Sequence, residues 1–430
     1  MSSAPFRIGI AGLGTVGAGV VALLEAEAEA IAAKAGRPVA ITAVSARNRQ
    51  RDRGVDITPF AWEDDPVALA AREDVDCFVE VIGGSDGPAK AAVERAIAAG
   101  KQVVTANKAL IAHHGQALAT AAEGAGVGLL AEAAVAGGIP ALRGLGEGLA
   151  ANRITRVFGV LNGTCNYILS EMATKGAAYG DVLESAQRLG YAEADPTTDV
   201  GGWDAAHKLA ILAALAFGTE IDFEGVVVEG IERVSPDDIR TARDMGLAIR
   251  LLGLARLTDG GLEQRVRPVM VPDGSAIGAL PGVTNAVVIE GEAIGQVTLS
   301  GPGAGAGPTA SAILADVMAL ARGPVPPLFG RPAAVLAAAP RLAETDEHAP
   351  HYLRFIVTDA PGTLAKVAAG LGEAGVSIQR MHQYDGTPAA VPVVIITHEA
   401  PRAAIDRALE RIAASGICTL PPVAMRIEEV

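Results

Sequence analysis

The densest run of reactive side chains lies between Gly190 and Lys208, in GYAEADPTTDVGGWDAAHK. Asp204 and Lys208 stand four apart in a stretch of helical composition, 203 to 217, so they share one helix face. Leu209, Ile211, Leu212 and Leu215 make the same helix apolar on another side. That spacing also describes an ordinary solvated ion pair with Asp195 or Asp199 as a cap. Against this, Glu193, Asp195 and Asp199 all fall within the eleven residues before Asp204. A lysine among carboxylates suits carbonyl reduction, because hydride delivery creates an alkoxide that must be protonated or neutralised, and Lys208 can do both. Fixed carboxylates such as Glu193 and Asp204 would bind an ammonium group, which points to an aldehyde or ketone carrying an amino group.

Hydride chemistry calls for a dinucleotide, and the start of the chain offers a place for one. Residues 6 to 11 (FRIGIA) are a short apolar run, 15 to 35 are of helical composition without proline, and Gly12-Leu13-Gly14-Thr15-Val16-Gly17 lies between them. In such a loop the first glycine permits the turn, the second lets backbone N–H groups approach a pyrophosphate, and the third lets the helix pack closely. With 51 glycines in the chain the spacing could arise by chance, but its place between strand and helix favours the functional reading. At the end of the second strand, Ser45-Ala46-Arg47-Asn48-Arg49-Gln50-Arg51 has no carboxylate before Asp52. Arg47 offers a planar clamp to a ribose 2′-phosphate, so NADP is favoured, with NAD as the alternative. For Arg49, Arg51 and Arg53 a solvated basic loop is a serious rival. Thr105-Ala106-Asn107-Lys108 follows the fourth strand, where ligand crevices of such sheets lie, so Lys108 is as much a cofactor or substrate contact as a surface lysine.

Strands near 39 to 45, 75 to 82 and 102 to 105, separated by helical stretches at 64 to 73, 87 to 99 and 114 to 124, predict an α/β fold with a Rossmann-type, doubly wound parallel sheet over 1 to 135. A glycine-rich loop at 301 to 308 and a helix at 309 to 322 would return the chain to this unit, completing it with 301 to 330. Residues 136 to 300 read as an α+β catalytic and dimerisation domain, with strands at 154 to 160, 225 to 231 and 286 to 290 and helices at 164 to 174, 179 to 189, 203 to 217 and 236 to 257. The prolines at 324, 326, 327 and 332 and the polar stretch after them read as a linker, 331 to 349. Residues 350 to 430 spell βαββαβ, the ferredoxin-like order.

A formal charge of −14 argues against a polyanion partner, so no nucleic acid is expected. No uncharged apolar run of eighteen residues occurs and Met1-Ser2-Ser3-Ala4-Pro5-Phe6 has no export pattern, so neither membrane span nor secretion is expected. Cys77, Cys165 and Cys418 are too few and scattered for a disulfide framework or a structural zinc, which fits a cytoplasmic protein. His207 and His113-His114 have no metal-site spacing.

GLGTVG at 12 to 17, TANK at 105 to 108, EAAVAGGIP at 132 to 140, LNGTCNYIL at 161 to 169 and GYAEADPTTDVGGWDAAHKLAIL at 190 to 212 together resemble homoserine dehydrogenases over residues 6 to about 325. The tail, with Asp359-Ala360-Pro361-Gly362 and Gly375-Val376-Ser377-Ile378, resembles an ACT regulatory domain. The resemblance implies NAD(P)H-dependent interconversion of L-aspartate 4-semialdehyde and L-homoserine, on the route to threonine and methionine. On matching positions Lys208 would donate the proton with Asp199 in support and Lys108 assisting, while Glu193 and Asp204 would hold substrate. Gly12, Gly14, Thr15, Val16, Gly17, Arg47, Thr105, Lys108, Gly190 and Gly303 would surround the cofactor. It further implies a monovalent cation, usually sodium, at Glu132, Val135, Gly137 and Ile139, an amino-acid effector such as threonine at the tail, and a homodimer or homotetramer. Cys165 departs from the Thr or Ser expected after Asn162-Gly163-Thr164. It admits a rival in a semialdehyde dehydrogenase with a thiol nucleophile. A non-catalytic dinucleotide and amino-acid sensor is the other alternative.

Overall fold

The computed structural model describes residues 4–343, 347–387 and 389–430; part of the expected linker (344–346) and the first three residues lie outside the described residues. Six parallel strands, β1 (Phe6–Ala11), β2 (Val39–Ser45), β3 (Ala61–Glu63), β4 (Cys77–Glu80), β5 (Gln102–Thr105) and β6 (Leu129–Leu130), form a sheet in the order β3-β2-β1-β4-β5-β6. The central strands are almost continuously apolar because helices cover both faces. Thr15–Ala26 and Ala306–Arg322 pack on one side, and Pro66–Ala71, Pro88–Ala98 and Lys108–Ala125 on the other. The order reverses between β1 and β4, so the strand ends there open a crevice for a ligand. The expected helix at 15 to 35 is two helices, Thr15–Ala26 and Ala28–Ala35, which break at Glu27.

Behind this unit lies a mixed sheet built from β7 (Ile154–Val160), β8 (Val227–Val228), β9 (Leu247–Thr258), β10 (Gly261–Pro272), β11 (Thr284–Gly291) and β12 (Gly295–Pro302). One expectation fails here. The stretch 236 to 257 is not one helix: Pro236–Asp244 is helical, Gly246 takes the left-handed φ of +71°, and Leu247 onward is a strand paired with β10 from Leu247↔Pro272 to Thr258↔Gly261. A largely apolar run such as LAIRLLGLARL, with only Arg250 and Arg256 charged, suits a buried strand or a buried helix equally, and the hairpin pair Asp259-Gly260 is the signal that separates them.

The tail contributes β13 (His348–Ala349), β14 (His351–Val357), β15 (Ile378–Gln383), β16 (Val391–Thr397), β17 (Ala400–Pro401) and β18 (Val423–Ile427), with helices Thr363–Glu373 and Arg402–Ala414 on one face. Its sheet is continuous with the one before it. β18 runs parallel to β10 through Val269↔Arg426 and Met270↔Ile427, giving the order β12-β11-β7-β9-β10-β18-β14-β16-β15. The described part of the linker is laid against the same sheet, with Leu262 N–H donating to Pro340 O at 2.7 Å and Leu342 N–H to Leu262 O at 2.9 Å.

So short a ladder needs other support, and buried charges supply it. Arg265, 1% exposed in its side chain, pairs with Glu263, with Glu428 of the tail, and with Glu347 at 3.0 Å. Arg426 reaches Glu347 at 3.1 Å and also contacts Glu428. Burial presses the Arg265 guanidinium down to about 10, against the attraction of Glu428 and Glu347. A second clasp joins Asp238 of the Pro236–Asp244 helix to Arg354 at 2.6 Å and to the Tyr352 hydroxyl at 3.1 Å. Removing one partner of such a cluster strands buried charge, so Arg265→Met is expected to destabilise the protein by about 3–5 kcal/mol in chemical denaturation. A loss below about 1 kcal/mol, the scale of a surface pair, would show that the cluster does not hold the seam.

Candidate active site

The glycine loop is built as its spacing requires. Gly12 has φ +104°, and a Cβ there would lie 2.4 Å from the Val81 carbonyl oxygen; a Cβ on Gly17 would lie 1.9 Å from the Gly12 carbonyl oxygen. At Gly14 a Cβ would meet nothing within 4 Å, so this position faces open space at the start of the Thr15–Ala26 helix. The loop borders a cleft of ≈ 360 Å³ whose walls include Gly12, Gly14, Ser45, Arg47 and Pro88. This cradle fits a dinucleotide: the N–H groups and positive end of a helix face a space that only glycine leaves free. Arg47 is exposed and makes no hydrogen bond or ion pair among the described residues. Arg53 is instead spent on the loop itself, donating from Nε to Leu13 O at 3.1 Å and from Nη1 to Arg51 O at 2.6 Å.

Glu80 ends β4 fully buried. Its carboxylate accepts from Ile82 N at 2.7 Å, Gly83 N at 3.0 Å and Thr105 Oγ1 at 2.5 Å. Thr105 Oγ1 in turn accepts from Asn107 N at 3.0 Å, and Asn107 caps the Lys108–Ala125 helix by accepting from Leu110 N at 3.1 Å. Thus Thr105 ties the end of β4 to the turn before that helix, and Lys108 emerges from the helix's first turn. Sequence reasoning overlooked Glu80, although a carboxylate inside VDCFVEVI was a visible anomaly.

Lys108 projects from the nucleotide unit to Asp204 of the Trp203–Phe217 helix, Nζ to Oδ1 at 3.1 Å. Lys208 Nζ, buried, donates to Asp204 Oδ2 at 2.7 Å and to Leu161 O, just past β7, at 2.7 Å. Asn162 donates to Asp204 Oδ2 at 2.9 Å and to Asp199 Oδ1 at 2.8 Å, so it joins the two carboxylates. Asp199 therefore meets Asp204 and Lys208 through Asn162. Burial alone would raise the Asp204 carboxyl, but Lys208, Lys108 and Asn162 hold it well below the usual range. For Asp199 burial prevails, and its carboxyl is raised despite the hydrogen bond from Asn162. Asp204 and then burial act in opposite directions on Lys108, and the net effect raises its ammonium, which stays charged. Asn162 was noticed only inside a motif; nothing in the sequence marks it as the hub.

Glu193 lies exposed at the rim, with no hydrogen bond to its carboxylate among the described residues, though its charge is felt at Lys108. Asp195 is spent on Thr197, accepting from its Oγ1 at 2.6 Å. Gly190, with φ +77°, turns the chain after Tyr179–Arg188 toward Tyr191, whose carbonyl accepts from Thr164 Oγ1 at 2.7 Å. Gly303 lies against Asn285, and its carbonyl oxygen is where a Cβ on Gly137 would come within 2.4 Å. Around it, Ala136 and Gly137 both have φ +57°, and no hydrogen bond among the described residues reaches the carbonyls of Val135 and Gly137. Glu132 spends its carboxylate on Leu142 N at 2.9 Å and Arg143 N at 2.8 Å, and the Ile139 carbonyl accepts from Ala141 N at 2.7 Å. His207 stacks on Phe223 at 4.5 Å with His113 beside both, and burial presses its imidazole down to about 4. It is a neutral packing group.

Cys165 does not have the surroundings of a nucleophile. It is fully buried, its Sγ–H donates to Asp199 O at 3.2 Å, and burial, with Asp199 and Asp204 nearby, raises the thiol well above its ordinary value. Cys165→Ser is therefore expected to keep turnover within about tenfold, where loss of a true nucleophile removes several orders of magnitude. A steady-state assay of the serine variant decides it.

Against known proteins, residues 140–318 match the model of the Homoserine dehydrogenase family, residues 12–132 that of its NAD-binding domain and residues 351–414 that of the ACT domain. The homoserine dehydrogenase of Neisseria gonorrhoeae is 43% identical over 99% of both chains, and that of Pseudomonas aeruginosa 42% over 99% of both. The crystal structure of a homoserine dehydrogenase from Thiobacillus denitrificans superposes with a TM-score of 0.94 at 40% identity, covering 100% of this chain and 99% of the other. A dinucleotide cradle, a lysine and carboxylate cluster to which the nucleotide unit contributes Lys108, and this likeness over the full length agree: the chain belongs to the homoserine dehydrogenase family of oxidoreductases and carries an ACT domain.

Proposed function

We propose that the chain interconverts L-aspartate 4-semialdehyde and L-homoserine with NADP as the preferred cofactor, and that Lys208 gives and takes the hydroxyl proton. One observation carries this reading. An ammonium has three N–H groups, and those of Lys208 meet only two acceptors, Leu161 O and Asp204 Oδ2. The third is left for a substrate oxygen, at an ammonium that is itself buried. When bound, the nicotinamide supplies or accepts the hydride at the carbonyl carbon. Lys208 then protonates the oxygen that gains charge, or withdraws that proton in reverse. Asp204, held ionised between two lysines, fixes both cations; Asn162 keeps Asp199 in line as the next group toward solvent. Lys108 meets the substrate from the cofactor side, and Glu193 at the rim offers a carboxylate to its ammonium group.

Arg47, unpaired at the cleft wall, supports the NADP preference. The Val135 and Gly137 carbonyls, buried without donors, suit a hard monovalent cation, with the backbone of Glu132 and Ile139 completing the set; bound there, it would brace this turn against Gly303. No described helix is long and apolar enough to cross a membrane. A cytoplasmic homodimer or homotetramer, inhibited through the ACT domain by threonine or a similar amino acid, completes the proposal.

Lys208→Ala is expected to lower kcat by about 10²–10⁴, the usual worth of a positioned acid–base group, while NADPH binding followed by fluorescence is nearly unchanged. Comparable turnover in that variant would remove Lys208 from its role, and an unsubstituted chain that neither oxidises NADPH with the semialdehyde nor reduces NADP with homoserine would end the whole reading. Arg47→Asp is expected to weaken NADPH about tenfold or more, about 1.4 kcal/mol, with a much smaller effect on NADH. Equal losses for both cofactors would refute the 2′-phosphate contact.

A further inference from the structure

A second cleft, of ≈ 170 Å³, opens where the tail meets the catalytic sheet. Its walls come from three places: Glu229 and Arg233 in the segment after β8, Pro268 on β10, and Arg402, Leu409 and Met425 of the tail. The space is many times the 10–15 Å³ one water needs but below the roughly 300–1,000 Å³ of drug-sized ligands, so it selects for something small. Its charges are of both signs and are largely unspent. Arg233 and the Glu229 carboxylate make no ion pair among the described residues, and Arg402 uses only its Nε, on Asp406 at 2.9 Å. Arginines for a carboxylate, a carboxylate for an ammonium and an apolar wall of Pro268, Leu409 and Met425 together match a zwitterion with a short side chain.

The cleft also backs onto the catalytic cluster. Ile231 N–H donates to Val200 O at 2.9 Å, and a Cβ on Gly230 would lie 2.5 Å from Val200 O and 2.8 Å from Gly201 Cα. Here backbone is pressed on backbone with no slack, and Val200 directly follows Asp199. A shift of the 229–231 segment therefore has to be taken up by the turn that carries Asp199.

We propose that this seam cleft is the binding site for a small α-amino-acid effector, which acts by moving the 229–231 segment and, through it, Asp199. The proposal rests on the reading of the tail as an effector-binding domain and assigns that effector a place between the domains. Its mode of action predicts a fall in kcat with the KM for NADPH unchanged.

The full-length chain is titrated calorimetrically with L-threonine, L-isoleucine and L-methionine, with D-threonine and propionate as chemical controls, and the same additions are made to the assay. Expected is binding of at least one L-amino acid that is weakened about tenfold or more, the worth of one lost charged hydrogen bond, by Arg233→Met and by Arg402→Met, both of which keep the uninhibited rate. Glu229→Gln, an exposed change outside any ladder, is expected to weaken the same amino acid without the risk of misfolding, and Asp359→Asn in the tail's own turn to leave binding intact. Binding that survives Arg233→Met, Arg402→Met and Glu229→Gln, or that is lost in Asp359→Asn alone, overturns the seam site while leaving the effector reading standing. If no amino acid binds the unsubstituted chain, the effector reading falls and takes the seam site with it.

Discussion

The site is organised around one buried ammonium, that of Lys208. Burying an unpaired ion costs many kcal/mol, so the fold must bring it a counter-ion and a second acceptor. Asp204, one turn earlier on the same helix, is the counter-ion, and Leu161 O, where β7 ends, is the acceptor. Because Asp204 also accepts from Asn162 and pairs with Lys108, the interaction fastens three parts of the chain at one point: the end of the mixed sheet, the helix behind it and the first turn of a helix from the nucleotide unit. Lys108 of the nucleotide unit and Lys208 of the catalytic unit thereby share a fixed geometry, and fixed positioning of reacting groups is in general worth much of a catalytic barrier.

A second cluster of buried charge lies far from the chemistry and has a different task. Arg265, Arg426, Glu347 and Glu428 close the seam between β10 and β18, where the backbone ladder is short. Such clusters add little net stability over an apolar seam, but they tolerate few alternative registers, since any slip leaves charge unpaired. The tail is thus the far half of a single sheet whose near half ends at Leu161 and Asn162.

Much of the fold was legible beforehand. The alternation of apolar runs with Ala-rich helical stretches announces the parallel sheet, and the glycines at 12 and 17 have the steric duties their spacing implies, while Gly14 borders open space. Where legibility failed, the cause is specific. LAIRLLGLARL is apolar but for Arg250 and Arg256, and a run without clear period cannot tell a buried helix from a buried strand. Glu80 and Asn162 were passed over because a carboxylate and an amide acquire their meaning from the N–H groups and carboxylates that converge on them, and those partners are 25 to 42 residues away for Thr105, Asp199 and Asp204.

By itself, the sequence determined the residue types and the local spacings: a loop that only glycine can make, an Asp and a Lys on one helix face, a tail of βαββαβ order. These follow from steric and periodic rules that act within a few residues of chain. Only the tertiary structure decided that Asp204 pairs with two lysines at once, that Asn162 joins Asp199 to Asp204, that Cys165 is sealed from solvent, and that the tail's last strand extends the mixed sheet. Each of these is a meeting of distant segments, and its energy lies in desolvation and pairing that do not exist until the chain has closed around them.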